Sequence, residues 1–433
     1  MTVKSHDDRS HDSGSCSEHT GLPMRVAILS SESPENACAR VRLSDVLKQL
    51  APTVSFTWSG IPRSQASPHE VKQEIREADV VVIQRSFPRF ETMELMQWVL
   101  FESGKPVVYE IDDQLTALPE QHPQYGTYQR YRHLIASCIA NCDAVITSTP
   151  VLKDFFTPLN PRGYVYPNTL NESIWYCPLA ISGTQSVWSP VTIGFAGSFT
   201  HAADLTCVEE ALERIRAKFG ERVRFMFYDC ITDRLKQLPG LIHQTGFLPY
   251  SEYPALLRSL KLDIGLAPLE DSPFNACKSN IKYLEYAACG IPGVYSNLPP
   301  YRDSVRQGVT GLLVENTPQS WFDAIATLVE NAMIANEIAS AAFDDVWDRF
   351  PMHKQAPHWL KLMENIVSQY PCPVQPGEGI ARAMWEQAVA YEQHLAETKS
   401  QLNRAIDQIH WLESRPLLRI YHALKNGLRR ARG

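Results

Sequence analysis

From Met24 onward, short continuous apolar runs alternate with stretches whose apolar residues recur every three or four positions. MRVAILSS (24–31) is the first run, and ARVRLSDVLKQL (39–50) follows it with Val41, Leu43, Leu47 and Leu50 at helical spacing. ADVVVIQ (78–84), KPVVYEI (105–111) and DAVITS (143–148) repeat the run, with helical patterns such as TMELMQWVLFESG and YRHLIASCIANC between them. Strands that are apolar on both faces and separated by helices predict a parallel sheet covered on both sides. A second series runs through VTIGFAGS (191–198), VRFMFY (223–228), LIHQTGF (241–247), LDIGLAP (262–268), IPGVYS (291–296) and GLLVE (311–315).

The interval between the two series, 168–190, carries Pro, Asn, Gly and Ser without sustained periodicity, and reads as a linker. The predicted organisation is therefore a polar, disordered tail over 1–23, a Rossmann-like domain over 24–167, the linker, a second Rossmann-like domain with crossover helices over 191–370, and a helical extension over 371–433. The fold class is α/β, two Rossmann-like domains facing a cleft, because open parallel sheets bind ligands beyond the C-terminal ends of their strands. SQYPCPVQPGEG (368–379) breaks the pattern, and a long helix-forming stretch follows. The final RPLLRIYHALKNGLRRARG holds six Lys/Arg and no acid, with Leu417, Leu418, Tyr421, Leu424 and Leu428 along one helical stripe. Segment 378–433 thus suits an anionic membrane surface or coiled-coil self-association.

Composition narrows the function classes. The 433 residues carry a formal net charge of −7, which argues against a dedicated nucleic-acid binder. Ten cysteines are scattered with no CxxC pair and no Cys/His cluster at zinc spacing, so they read as reduced thiols and no metal site is expected. No run of 18 apolar residues occurs, and 1–23 has no apolar core of a signal peptide, so a cytoplasmic location is expected.

The densest chemistry lies in PFNACKSNIKYLEYAACGIPGVYS, which reads as loop, helix, glycine stop and strand. With Ser279 as N-cap, Lys278 sits at the helix mouth, and Lys278, Lys282 and Glu285 share one face at spacings of four and three residues. A helix N-terminus beside lysines attracts phosphate, and a carboxylate further along can accept hydrogen bonds from a ribose diol. The same spacing also describes an ordinary lysine–glutamate pair on a solvated helix.

That run, preceded by DIGLAPL and followed by DSVRQGVTGLLVE, resembles the donor-site region of family 4 retaining glycosyltransferases of the GT-B fold, of the bacterial type that builds surface polysaccharides. The resemblance extends over about 191–335, and more faintly through VRLSDVLKQL, VVVIQR and VVYEIDDQL. In the family, two glutamates with seven residues between them bind the donor, the second at the ribose and the first at the sugar. Glu285 matches the second; Cys277 occupies the first, so the sugar contact would pass to backbone near Asn275 and Ala276 or to Glu270 and Asp271.

The family's glycine-rich turn corresponds to GFAGSFTHAADL, where Gly197 and Ser198 would let backbone approach phosphate, and His201 and Asp204 stand where Arg and Lys are usual. His201 is thus either a donor contact or a helix-start residue, with Asp204 in the first turn, that needs no ligand. The diphosphate charge would fall to Lys278 and Lys282. In the first domain, Arg85 follows a strand, and Glu110, Asp112 and Asp113 end another, where an α/β sheet presents ligand-binding residues. Asp112 and Asp113 are candidates for orienting an acceptor hydroxyl or anchoring a loop, Arg85 is a further acceptor-side candidate, and Arg40 and Arg42 are candidates for acceptor phosphate; salt bridges would use the same arginines. His122, in a polar loop, reads either as an ordinary surface histidine or as a group that polarises an acceptor.

The resemblance implies a nucleotide-sugar donor, a glycan or lipid-linked acceptor, same-face attack without a protein nucleophile, and no metal or other cofactor, while the basic C-terminal stripe points to a peripheral place on the inner membrane face. Two other classes compete. A nucleotide-sugar epimerase would need an acid and histidine set that the pattern lacks. A degenerate transferase acting as an interaction module is kept open by Cys277.

Overall fold

The computed structural model describes residues 23–60, 68–179, 189–370 and 378–413. The tail before residue 23, part of the expected linker and the basic end after 413 lie outside the described residues. β1 (Met24–Ser30), β2 (Val54–Ser59), β3 (Val80–Gln84), β4 (Val107–Ile111), β5 (Ala144–Thr147) and β6 (Gly163–Val165) form one sheet in the order β2-β1-β3-β4-β5-β6. β7 (Val191–Gly197), β8 (Val223–Asp229), β9 (Leu241–Gln244), β10 (Ile264–Ala267), β11 (Gly293–Ser296) and β12 (Leu312–Val314) form the other, in the order β12-β11-β10-β7-β8-β9. Every strand pair is parallel.

The continuous apolar strands are covered on both faces, as their composition requires. Val81, Ile83 and Tyr109 enter one core of the first sheet while Val80, Val82 and Val108 enter the other. In the second sheet Phe225 and Phe227 face one core, and Met226 and Tyr228 the opposite one. β2 and β6 have no counterpart among the expected strands. β2 is an edge strand whose middle residues reach solvent, and β6 spans only three residues.

Two crossings tie the domains. At the hinge, Leu170 N–H donates to the Phe350 carbonyl (3.1 Å) and Met352 N–H to the Leu170 carbonyl (3.0 Å), so the outgoing and returning chains pair. The helix Met352–Ser368 then buries Trp359, Met363 and Ile366 in the core beneath β1 and β3 of the first domain. The chain entering the second domain is more ordered than a composition of Pro, Asn and Ser suggests. Asn171 caps a short helix, Glu172–Trp175, and Trp175 is fully buried against Tyr250 and Tyr253.

The long helix Glu378–Glu413 docks its first half on the helix Tyr125–Asn141, with Trp385 edge-on to Phe101 at 6.3 Å between ring centres. Past it, Leu395, Leu402, Ile406, Ile409 and Trp411 face solvent. No helix among the described residues is long and apolar enough to cross a membrane.

Candidate functional site

The loops that follow the strands of both sheets meet between the domains. The stretch after β10 forms a short helix, Pro273–Ala276, capped by Ser272, and then the helix Ile281–Ala288. The N-cap of the second helix is Asn280, not Ser279, and Lys278 lies on the connecting turn rather than on the helical face. Ser279 instead accepts a hydrogen bond from Asn168 Nδ2 (2.8 Å). The helix ends at Gly290, whose φ of 67° is the left-handed conformation glycine adopts at little cost.

Lys282 and Glu285 do share a face, but it is buried, not solvated. Lys282 Nζ contacts Glu285 Oε2 at 2.7 Å, and Tyr253 OH lies 3.3 Å from the lysine and 3.4 Å from the same carboxylate oxygen. Phe195 and Tyr253 rings flank the ammonium. Burial, joined by the field of Glu285, pushes the Tyr253 hydroxyl well above its usual pKa, so it stays a donor. Lys278 is half-buried over the Phe274 ring, 4.8 Å from its centre, and enters no ion pair among the described residues.

The turn after β7 folds around a carboxylate. Asp204, buried, takes His201 Nδ1 at 2.8 Å on one oxygen, and Asn275 Nδ2 (2.8 Å) and Glu270 N–H (2.9 Å) on the other. Burial raises the Asp204 carboxyl, yet these donors and Lys278 hold it below the usual carboxylate range. Burial lowers the His201 imidazole, and Lys278 and Lys282 lower it further against the pull of Asp204. His201 and Asp204 therefore form a local pair at the start of the short helix after β7. Asn275 spends its amide nitrogen on Asp204 and the Glu270 carbonyl (2.9 Å), so it shapes the loop from within. Gly197 is sterically required: a Cβ there would fall 2.5 Å from Phe195 Cζ. Ser198 and Phe199 beside it are exposed.

Cys277 is buried in the apolar cluster of the first domain together with Phe274, and its carbonyl accepts from Thr149 Oγ1 (3.0 Å). Burial, with Asp113 adding to it, pushes its thiol up to about 11. The position that carries a sugar-binding glutamate in the resembling family is here an interdomain packing position. Glu270 and Asp271 are exposed at the adjoining loop.

On the first-domain side, Arg85 pairs with Asp112 at the ends of β3 and β4. Arg85 has a φ of 50°, uncommon for a residue with a side chain, and its Nε is buried without a hydrogen-bond partner among the described residues. Asp113 caps the following backbone by accepting from Gln114 N–H (3.0 Å). His122 stacks edge-on against Phe274 of the second domain, and burial followed by Lys278 lowers its pKa. Arg40 is committed elsewhere. Its guanidinium forks onto Asp45 (Nε at 3.0 and 3.1 Å, Nη2 at 3.0 Å) and covers the Tyr250 ring. It lines a separate groove of about 570 Å³ with Lys48, Asn171, Glu172 and His353. No group of three or more His, Cys, Asp or Glu among the described residues could hold a metal ion.

Sequence reasoning missed Tyr253 and Asn168, and it expected Arg42 at acceptor phosphate, whereas Arg42 is buried against Glu110 with Nε 2.7 Å from Oε1. Tyr253 lies 32 residues from Glu285 in the chain, and no local periodicity announces it.

Residues 190–331 match the family model described as "Glycosyl transferases group 1". No curated protein matches the chain. Among solved structures, HepE from Anabaena in complex with UDP and glucose is 16% identical, with a TM-score of 0.57 over 79% of this chain and 100% of that one. Sucrose-phosphate synthase from Thermosynechococcus elongatus is 14% identical, TM-score 0.57, over 80% and 99%. A glycosyltransferase from Rickettsia africae is 12% identical, TM-score 0.53, over 80% and 99%. The fold is thus the two-domain α/β arrangement of GT-B proteins. With the match over 190–331, it supports a GT-B glycosyltransferase.

Proposed function

We propose that this chain transfers a sugar from a nucleoside diphosphate donor to a hydroxyl of a glycan or lipid-linked acceptor, with retention of configuration, in the building of a cell-surface polysaccharide. The observation that carries the reading is the unpaired Lys278 beside the buried Lys282–Glu285–Tyr253 cluster, at the mouth of a helix following a central strand. HepE, solved with UDP and with UDP-glucose, supports a nucleotide-sugar donor for this fold.

In this reading Lys278, the backbone N–H groups of the Gly197–Ser198 turn and the start of the helix Ile281–Ala288 meet the diphosphate. Lys282 supplies further charge from within. Lys282 and Tyr253 both use Glu285 Oε2, so Oε1 is the oxygen for the ribose hydroxyls. The bond between the sugar C1 and the phosphate oxygen breaks, and the acceptor oxygen bonds C1 on the same face. The acceptor proton passes to the departing phosphate, whose growing charge the lysines stabilise. No metal is needed for that step. Asp112, held by Arg85, and Asp113 are the groups for orienting the acceptor. The exposed stripe of the helix Glu378–Glu413, with the basic residues beyond it, is the surface for an anionic membrane or a second chain, at the inner face of the membrane.

A second reading, donor binding without turnover, rests on Cys277, which supplies no carboxylate to the sugar. A panel of nucleotide sugars tests both. One donor is expected to raise the melting temperature of the wild type and not of Glu285→Ala, and labelled donor is expected to yield product with an acceptor. Stabilisation without product selects the second reading; no stabilisation by any donor removes both.

A further inference from the structure

A buried polar thread runs from the first sheet to the turn that bears Lys278. Ser30 Oγ donates to Gln84 Oε1 (2.8 Å), and Gln84 Nε2 reaches Glu110 Oε2 (3.4 Å). Arg42 Nε donates to Glu110 Oε1 (2.7 Å), and Arg42 Nη1 donates to the Tyr166 carbonyl (2.6 Å) and to Asn168 Oδ1 (2.9 Å). Asn168 Nδ2 then donates to Ser279 Oγ (2.8 Å). Arg42 and Glu110 are each 1% exposed and Asn168 7%.

The direction of the thread is forced by chemistry. A guanidinium can only donate, so the Asn168 oxygen must face Arg42 and its nitrogen must face Ser279. Burial raises the Glu110 carboxyl while the Arg42 contact lowers it. A buried carboxylate and guanidinium in such contact are costly to separate, so this end of the thread is fixed. Ser279 stands between Lys278 and the N-cap Asn280. Its hydroxyl is the point where the first domain holds the start of the donor helix from the side, while Thr149 holds the Cys277 carbonyl two residues earlier.

We propose that Asn168 is a positioning residue. It docks the turn 278–280 onto the Arg42–Glu110 pair, and so sets Lys278 and the start of the helix Ile281–Ala288 in the pose that receives a nucleoside diphosphate. This rests on the donor-site reading above. The thread makes the second domain's nucleotide site depend on a side chain from the hinge and an ion pair from the first domain.

The test uses the full chain with UDP, GDP and ADP as probes in calorimetry, and amide hydrogen exchange without nucleotide. Asn168→Ala is expected to speed exchange over 278–284 while leaving β3 and β4 protected, and to weaken nucleotide binding about tenfold, as loss of one to two hydrogen bonds would. Asn168→Asp keeps an acceptor for Arg42 and offers Ser279 a carboxylate to which its hydroxyl donates, so it restores both readouts. Ser279→Ala reproduces the loss, and combining it with Asn168→Ala adds nothing further. Unchanged exchange over 278–284, or unchanged affinity despite faster exchange, overturns the positioning role. Wild-type protein that binds none of the three nucleotides overturns the donor reading and with it the role for Asn168 in binding; faster exchange in Asn168→Ala would then leave only a structural tie.

Discussion

Cys277 separates what a position does in one chain from what it does in a family. Its side chain fills apolar space of the first domain beside Phe274, 3% exposed, with Asp113 near enough to raise its thiol. Installing the family's carboxylate there would bury a charge against apolar neighbours and a like charge. Cys277→Glu is therefore expected to lower stability by about 2–4 kcal/mol, read in chemical denaturation, without tightening donor binding. Tighter binding at unchanged stability would mean that the side chain can turn toward the sugar.

Legibility at this scale depended on sequence distance. Lys282 and Glu285 are three residues apart and were readable as a pair; that they are buried was not, because Tyr253 and Phe195 arrive from other elements. The N-cap falls at Asn280, one residue beyond Ser279; both residue types are good caps, and the Ser279 hydroxyl is engaged by Asn168. The partners of Arg42 lie 68 and 126 residues away and leave no local signal.

Among the elements, strands were the most legible, since β3, β4 and β5 are wholly buried and appear as unbroken apolar runs. The helix 39–50 was expected and is found as a helical run that widens into a π-helical turn over Arg40–Ser44, a detail propensities do not encode. The long helix Glu378–Glu413 carries an element-scale prediction. Glu392, 1% exposed, has its Oε1 buried without a hydrogen-bond partner among the described residues. Burial raises its carboxyl pKa, with Arg130 lowering and Glu91 raising it. A carboxyl raised in the folded state contributes fully below the ordinary value of 4.5 and loses that contribution as pH rises through the folded pKa. Glu392→Gln is thus expected to stabilise by about 1 kcal/mol at pH 7 and to lose that gain near pH 4, followed by thermal melts across that range. A gain that does not vary with pH would assign it to something other than the charge.

For the whole molecule, the two series of strands, without β2 and β6, followed from alternation, and crossover helices were expected before residue 370, but not that one of them completes the first core. The helix Met352–Ser368 comes after the second domain in sequence and completes the core of the first, burying Trp359, Met363 and Ile366 against Val26, Leu43 and Val80. A chain ending at residue 350 should therefore expose that core. Losing three large apolar side chains at about 2–5 kcal/mol each is comparable to the whole stability of an ordinary domain. The shortened protein is expected to show no cooperative melt of its first domain, whereas a chain ending at 377 should retain it. Intact melting of the 350-residue form would show that the crossover helix is dispensable.

The pairing of Leu170 with Phe350 and Met352 has a consequence for protein engineering. Because both crossings run side by side, the second domain behaves as a cassette inserted into the first rather than as a module appended to it. A chimera meant to change donor choice should be spliced at two junctions, near 170 and near 350, so that each grafted end meets the other across one ribbon. A single junction in the linker would carry away the first domain's own closing helix.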